Sequence, residues 1–502
     1  MNRALLRLSL ACLGMFALLM ININYVQAFE SNSLSSEPAN IRIFNQQFTI
    51  QRGAIIADGD GTDVKIAESV KNKDTDTYHR VYPFGREYAA VTGYDTIYGK
   101  TGIEEAENRY LTGTSTDLGL HNLIGLLSGN QAGSDVILTI SPKAQAAAYQ
   151  ALQSMAQQDG GKPAAVVAID PSTGAILAMA TYPTFNPNVL ATTNGTKLNK
   201  VDRQLLTAPG NPLLNRAINE TWPPGSSFKI VTGSTAFATK LVANPSTDVQ
   251  APTALPLGNG NFLHNDDFEP CANGDPPISE AFYLSCNTAF GRLGMKLTAP
   301  VLHSYADRFG FNDPNLQIPM PVSASPWPPV KDNDPAYTAL QAIGQFNARV
   351  TPLQEAMMAA TIANRGVLMK PYLVQSVEAS HNLATVYSAT PSVLSTPING
   401  TVASYMRTLM RGVTQNPGGT AYQTAGPPAT SIIIAGKTGT AQNGQVSAGL
   451  VDDDAVFSSF APAGNGQTPK IAVGVIVQGG GYGADAAAPI AVKIIQAYLG
   501  QS

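Results

Sequence analysis

Ser226 and Lys229 stand three residues apart in Pro223-Pro224-Gly225-Ser226-Ser227-Phe228-Lys229-Ile230-Val231-Thr232, where a loop breaks into a helix. Two prolines and a glycine are excluded from a helix interior and serine is a preferred cap, so the sequence predicts a helix starting near Ser226. Positions i and i+3 are neighbours on a helix surface, which puts the hydroxyl and the amine on one face. The positive end of the helix dipole and burial both disfavour an ammonium there, and a neutral amine could take the serine's proton. Such a pair is a nucleophile with its base. In a chain of 502 residues the spacing also arises by chance, so the pair needs partners.

Two further patterns supply them. Ser285-Cys286-Asn287 follows Ile278-Ser279-Glu280-Ala281-Phe282-Tyr283-Leu284; alone, a serine two before an asparagine is an ordinary turn or cap. Lys437-Thr438-Gly439-Thr440 follows an apolar run ending at Ala435-Gly436; alone, it is a strand finishing in a solvated turn. In this order the three patterns match S-x-x-K, S-D-N and K-T-G of the penicillin-recognising serine enzymes. On these residues the chain resembles a class B penicillin-binding protein, a membrane-anchored peptidoglycan D,D-transpeptidase, and looks most like the actinobacterial subgroup. The resemblance runs from Gln51-Arg52-Gly53 through Gly344-Gln345 and Thr351-Pro352-Leu353-Gln354 to Ala487-Ala488-Pro489.

The resemblance implies a role for each residue. Ser226 would attack the carbonyl between two terminal D-alanines and carry the acyl group, with Lys229 as its base. Ser285 would relay a proton to the leaving amine, and Asn287 would hydrogen-bond the donor peptide. Lys437 and Thr438 would hold the substrate carboxylate, and Gly439 would let the strand approach the substrate closely. The amides of Ser226 and Thr440 would form the oxyanion hole. Two positions depart from the pattern: Cys286 stands where some relatives have aspartate, and Phe346 follows Gly344-Gln345 where many have a third small residue.

The elements that must position these residues are legible in outline. Met1-Asn2-Arg3 and Arg7 flank an apolar run from Leu8 to about Ile23, extended by Asn24, Tyr25 and Val26, close to bilayer-spanning length. An uncleaved anchor over residues 1–28 is expected rather than a signal peptide, since no small-x-small cleavage site follows a short apolar core. The arginines place the N-terminal end in the cytoplasm and the rest outside. Residues 29–140 form an expected smaller mixed pedestal: a polar tether over Ser31–Asn40, and strands at Ile41–Ile43, Phe48–Ile50 and Arg52–Ala57. Asp58-Gly59-Asp60-Gly61 then turns a hairpin. It is no calcium loop, because Asp63 and Ser69 stand where glycine and glutamate are required.

Residues 141–502 form the expected transpeptidase domain. Strands Ala164–Ile169 and Ala175–Ala180 precede a long helical stretch that includes an alanine- and methionine-rich helix to Asn364. Strands return at Ile432–Ala435, Ala455–Phe460 and Ile471–Val477, and a last helix spans about Ala486 to Leu499. Early and late strands around a helical block can form one sheet with helices packed on it. The resemblance implies the penicillin-recognising serine transpeptidase fold, an antiparallel sheet flanked by helices plus an all-helical subdomain, in the α/β (α+β) class.

Composition excludes other functions. A net charge of −4 with no basic block argues against nucleic acid. His79, His121, His264, His303 and His381 are scattered without ligand spacing, so no metal is expected, and no cofactor. Gly479-Gly480-Gly481-Tyr482-Gly483-Ala484 mimics a dinucleotide fingerprint, but the chain ends at Ser502, before the required strand and acidic residue. Cys271 and Cys286 are free to pair outside the cytoplasm, and the sequence leaves both states open. The expected partners are peptidoglycan stem peptides, β-lactams, the membrane through the anchor, and other cell-wall or division proteins at the pedestal. Competing readings are a D,D-carboxypeptidase, a β-lactamase, and a non-catalytic β-lactam sensor or division scaffold.

Overall fold

The computed structural model of the chain describes residues 3–26, 48–73, 77–115, 132–158, 160–258, 260–266, 268–331, 334–379, 384–447 and 450–500. The expected tether, the strand at Ile41–Ile43, His121 and His381 lie outside the described residues. The N-terminal apolar run is a helix, α1 (Arg3–Tyr25). Its segment Leu6–Tyr25 has a mean hydropathy of 2.0 and buries nothing against the rest of the molecule. In length and apolarity it is a helix able to cross a membrane.

The pedestal is built on β1 (Ile55–Ala57), β2 (Val64–Lys71), β3 (Tyr78–Val81) and β4 (Asp135–Leu138). The Asp-Gly turn joins β1 to an antiparallel β2, while β4 runs parallel to β1. β1 is shorter than the predicted Arg52–Ala57 because the amides before it bond outside the ladder, Gly53 N to Leu111 O and Ala54 N to Asp135 Oδ1, and the Arg52 side chain joins a buried ionic cluster. Arg52 Nε and Arg80 Nε each lie 2.6 Å from a different oxygen of Glu104, which is wholly buried.

Helix α2 (Pro142–Gln158) leads into the hairpin β5 (Ala164–Ile169) and β6 (Ile176–Tyr182), paired as their apolar runs predict. The helical stretch supplies α3 (Lys229–Ala238), α4 (Ile278–Tyr283), α5 (Asn287–Leu297), α6 (Pro335–Ala342) and α7 (Pro352–Ala363). Every residue of α7 is buried, as expected of a helix with no polar face.

The next strands, β7 (Val374–Glu378) and β8 (Thr385–Ser388), return to the pedestal and give its sheet the order β8-β7-β4-β1-β2-β3. A single cut at residue 140 therefore does not follow the sheet. Nothing in a short run such as Val374–Glu378 shows which sheet edge it will join.

Helix α8 (Gly400–Gln415) precedes the last strands, β9 (Ala435–Ser447), β10 (Leu450–Ala461) and β11 (Ile471–Val477), and helix α9 (Ala488–Leu499) closes the chain. These form the second sheet, antiparallel throughout, in the order β9-β10-β11-β5-β6. The run Ile432–Ile434 precedes β9 instead of belonging to it. Its Ile434 carbonyl accepts from Thr414 Oγ1 of α8 at 2.6 Å, so burial and not strand pairing explains its apolar character. β9 lies at the edge of this sheet, with Lys437 opposite Ser458 and Thr440 opposite Ala455.

Candidate active site

The turn carrying Ser226 is 3-10 in form over Gly225–Phe228, and α3 begins only at Lys229, three residues later than the sequence predicts. Three residues per turn bring side chains i and i+3 into line, so Ser226 and Lys229 keep a common face. The turn is held from below by Phe228, which stacks on Trp327 with centroids 3.8 Å apart and meets Phe311 edge-on. Ser226 opens towards solvent in a cleft, whereas Lys229 is fully buried.

Ser285, between α4 and α5, is the hub. Lys229 Nζ donates to Ser285 O and to Asn287 Oδ1, each at 2.7 Å, and lies 3.2 Å from Ser285 Oγ. Lys437 Nζ, equally buried, donates to Ser285 Oγ at 2.9 Å and to Thr438 O at 2.9 Å. None of these contacts is with Ser226. Burial pushes the Lys229 amine well below its usual range and the Lys437 charge pushes further, while Asp266 pulls the other way. Burial likewise brings Lys437 down to about 7 against the pull of Asp266. One hydroxyl thus links two amines that both release a proton easily.

Ser285 sits at φ 65°, a left-handed conformation rare for a residue with a side chain. Its neighbours impose it. Ser285 N donates to Phe282 O and Cys286 N to Ala281 O, and Cys286 is bonded to Cys271 with Cα atoms 5.8 Å apart. The disulfide ties this wall to the loop carrying Asp266, whose Oδ1 accepts from Asn287 Nδ2 at 2.8 Å.

The opposite wall is β9. A Cβ at Gly439 would lie 2.5 Å from Pro224 O, so only glycine lets the edge strand meet the Ser226 turn. Thr438 Oγ1 is 2.7 Å from Thr420 Oγ1, which fixes its rotamer. A third loop closes the cleft from the side. Gly344 is at φ 76°, and a Cβ there would lie 1.9 Å from Gly225 O. Phe346, standing where a small residue is usual, also takes a left-handed φ of 70° and stacks on Tyr337 at 4.5 Å. The cleft between these walls measures ≈ 1070 Å³ and is lined by Ser226, Ser285, Asn287, Thr438 and Thr440.

All the predicted site residues therefore converge, with Lys229 and Lys437 buried behind Ser285. Sequence reasoning missed Asp266, Thr420 and Glu355, the last lying 2.7 Å from Ser227 Oγ. Each stands outside the three motifs, and no local spacing marks it. In the Gly479–Ala484 mimic, Gly479 N donates to Asp454 Oδ1 at 2.8 Å, and Tyr482, Gly483 and Ala484 line the same cleft as Ser226. Among the described residues no group of three His, Cys, Asp or Glu side chains is disposed to hold a metal.

The family model for the penicillin-binding protein transpeptidase domain matches residues 164–496, and that for the penicillin-binding protein A dimerisation domain matches residues 52–136. The chain belongs to the penicillin-binding protein transpeptidase family. It is 38% identical to the peptidoglycan D,D-transpeptidase PbpA of Mycolicibacterium smegmatis, over 99% of both chains. Against PbpA of Mycobacterium tuberculosis it is 36% identical, again over 99% of each. The ceftriaxone acyl-enzyme structure of M. tuberculosis penicillin-binding protein A superposes with a TM-score of 0.82 at 35% identity, covering 90% of this chain and 99% of that one.

Proposed function

We propose that the chain is a peptidoglycan D,D-transpeptidase that forms an acyl-enzyme on Ser226 and is acylated there by β-lactams. The observation that carries this reading is Ser285 Oγ, within 3.2 Å of Lys229 Nζ and 2.9 Å of Lys437 Nζ at the edge of the cleft that Ser226 enters. Neutral Lys229 takes the proton of Ser226 as it attacks the carbonyl of the penultimate D-alanine. The amides of Ser226 and Thr440 receive the developing oxyanion. Ser285 passes a proton to the departing amine, replenished from the buried lysines. Thr438 and the charge of Lys437 hold the terminal carboxylate, and Asn287 meets the donor backbone. A second stem peptide's amine then takes the acyl group.

The exposed apolar helix, flanked by Arg3 and Arg7, supports a single membrane anchor with the catalytic domain outside the cell. The disulfide fits that compartment. Residues 29–140, joined by β7 and β8, then act as a pedestal that other cell-wall proteins can contact.

Intact-mass analysis after exposure to penicillin tests the reading. One adduct is expected on the native protein and none on Ser226→Ala. A native protein that takes no adduct refutes the proposal, and an adduct lost within seconds points to a β-lactamase. Transfer of a donor peptide to an added amine, in preference to water, separates transpeptidase from carboxypeptidase.

A further inference from the structure

Behind the nucleophile's turn lies a carboxyl that the acylation scheme leaves unused. Glu355 of α7 is fully buried, and its Oε1 lies 2.7 Å from Ser227 Oγ. Ser227 Oγ also lies 2.9 Å from Pro224 O. A serine hydroxyl carries one proton. Pro224 O, a carbonyl, can only accept, which commits that proton, and the second contact must then be donated by Glu355. Only a protonated carboxyl can donate. Glu355 Oε2 has no partner, a placement costly for a carboxylate and mild for a neutral acid.

The surroundings agree. Burial pushes Glu355 up to about 8, opposed by the hydroxyls of Ser227 and Ser458, and no charged side chain acts on it. From β10, Ser458 Oγ donates to the backbone carbonyl of Glu355 at 2.7 Å. From the turn, Ser227 faces the carboxyl itself.

We propose that Glu355 is a neutral carboxylic acid that, through Ser227, holds the Pro224–Ser227 turn and so positions Ser226 for acylation. The proposal rests on reading Ser226 as the nucleophile. Pro224 O is the atom that abuts Gly439, so the chain from Glu355 through Ser227 to Pro224 sets the turn against β9. That spacing decides where the amides of Ser226 and Thr440 stand relative to one another, and errors of about 1 Å in such placements cost about 100-fold in rate.

The test is the rate of acylation by a fluorescent penicillin, measured on the full chain from pH 6 to pH 10 with thermal unfolding alongside. Glu355→Gln keeps a donor of the same shape and is expected to retain most of the native rate. Glu355→Leu and Ser227→Ala should each be slower by about 10- to 100-fold, and combining them should add little. The native rate should fall as pH rises through about 8, where Glu355 loses its proton, and that step should vanish in Glu355→Gln. The titration of Lys437, at about 7, is common to both and cancels. A native rate in Glu355→Leu, a Glu355→Gln as slow as Glu355→Leu, or an alkaline step surviving in Glu355→Gln overturns the proposal. If Glu355→Leu does not fold, Ser227→Ala, which removes one hydroxyl and keeps the carboxyl, takes its place, and a native rate in that variant overturns the proposal equally. A native protein that takes no label refutes the nucleophile reading instead, and the inference with it.

Discussion

Removing the hydroxyl of Ser285 should cost more than any other deletion that spares Ser226 and the two lysines. In Ser285→Ala, Lys437 loses a 2.9 Å contact and keeps only Thr438 O, while Lys229 loses a longer one of 3.2 Å and keeps two. At pH 7.5 Lys437, brought down to about 7, is largely neutral, and an ordinary hydrogen bond of about 0.5–1.5 kcal/mol makes its contact alone worth roughly 2- to 10-fold in rate. Loss of the proton relay adds to this, since a positioned proton carrier contributes about 10²- to 10⁴-fold. Acylation by penicillin, followed by stopped-flow fluorescence at pH 7.5, should therefore slow by at least about 100-fold. Backbone strain separates this chemistry from stability. Ser285 holds φ 65°, a strain that alanine shares and glycine relieves. Ser285→Gly should thus be as slow as Ser285→Ala, yet unfold at a higher temperature. If Ser285→Gly acylates at the native rate, the hydroxyl carries no proton and the two-lysine relay is wrong.

Replacing Cys271 and Cys286 by serine opens a loop of 15 residues and should lower stability by about 3 kcal/mol in urea denaturation; unchanged curves would show that the wall needs no brace. Glu104→Gln takes from buried Arg80 and Arg52 the carboxylate they share, leaving Arg52 with Asp95 at 3.6 Å, and should cost about 3 kcal/mol, with acylation of the folded fraction unaffected. Burial opposes the charge of Glu104, but Arg80 and Arg52 outweigh it and hold the carboxyl below its usual range. Its contribution is complete above the unfolded carboxylate pKa of about 4.3 and disappears as pH falls through the lower folded value. The native melting temperature should accordingly drop at strongly acid pH more steeply than that of Glu104→Gln. Gly344→Ala forces a Cβ to 1.9 Å from Gly225 O at φ 76°; the turn before Ser226 must shift, and acylation should fall about tenfold or more. Native kinetics in that variant would show that the cleft's third loop does not hold the nucleophile.

Much of this arrangement is written locally. Pro223-Pro224-Gly225 can end only as a turn, Ala164–Ile169 and Ile471–Val477 can be buried only as strands, and Leu8–Ile23 has no place in a water-facing surface. Those features follow from one stretch at a time, which is why the three motifs and the sheet that carries them are legible. Even so, the start of α3 is displaced from Ser226 to Lys229, because Phe228 stacking on Trp327 sets the tightness of the turn and no local preference does.

What the amino-acid sequence by itself determined is the candidate set: Ser226, Lys229, Ser285, Asn287 and Lys437, on elements of the right kind in the right order. The tertiary structure alone decided how they stand to one another. It buried both lysines against one hydroxyl, forced Ser285 and Phe346 into left-handed backbone, and sent β7 and β8 back to the pedestal. It also brought in Asp266, Thr420 and Glu355, which no motif marks. The reason is physical: a side chain's proton affinity depends on the water and charges it loses or meets on folding, and those come from residues far away along the chain.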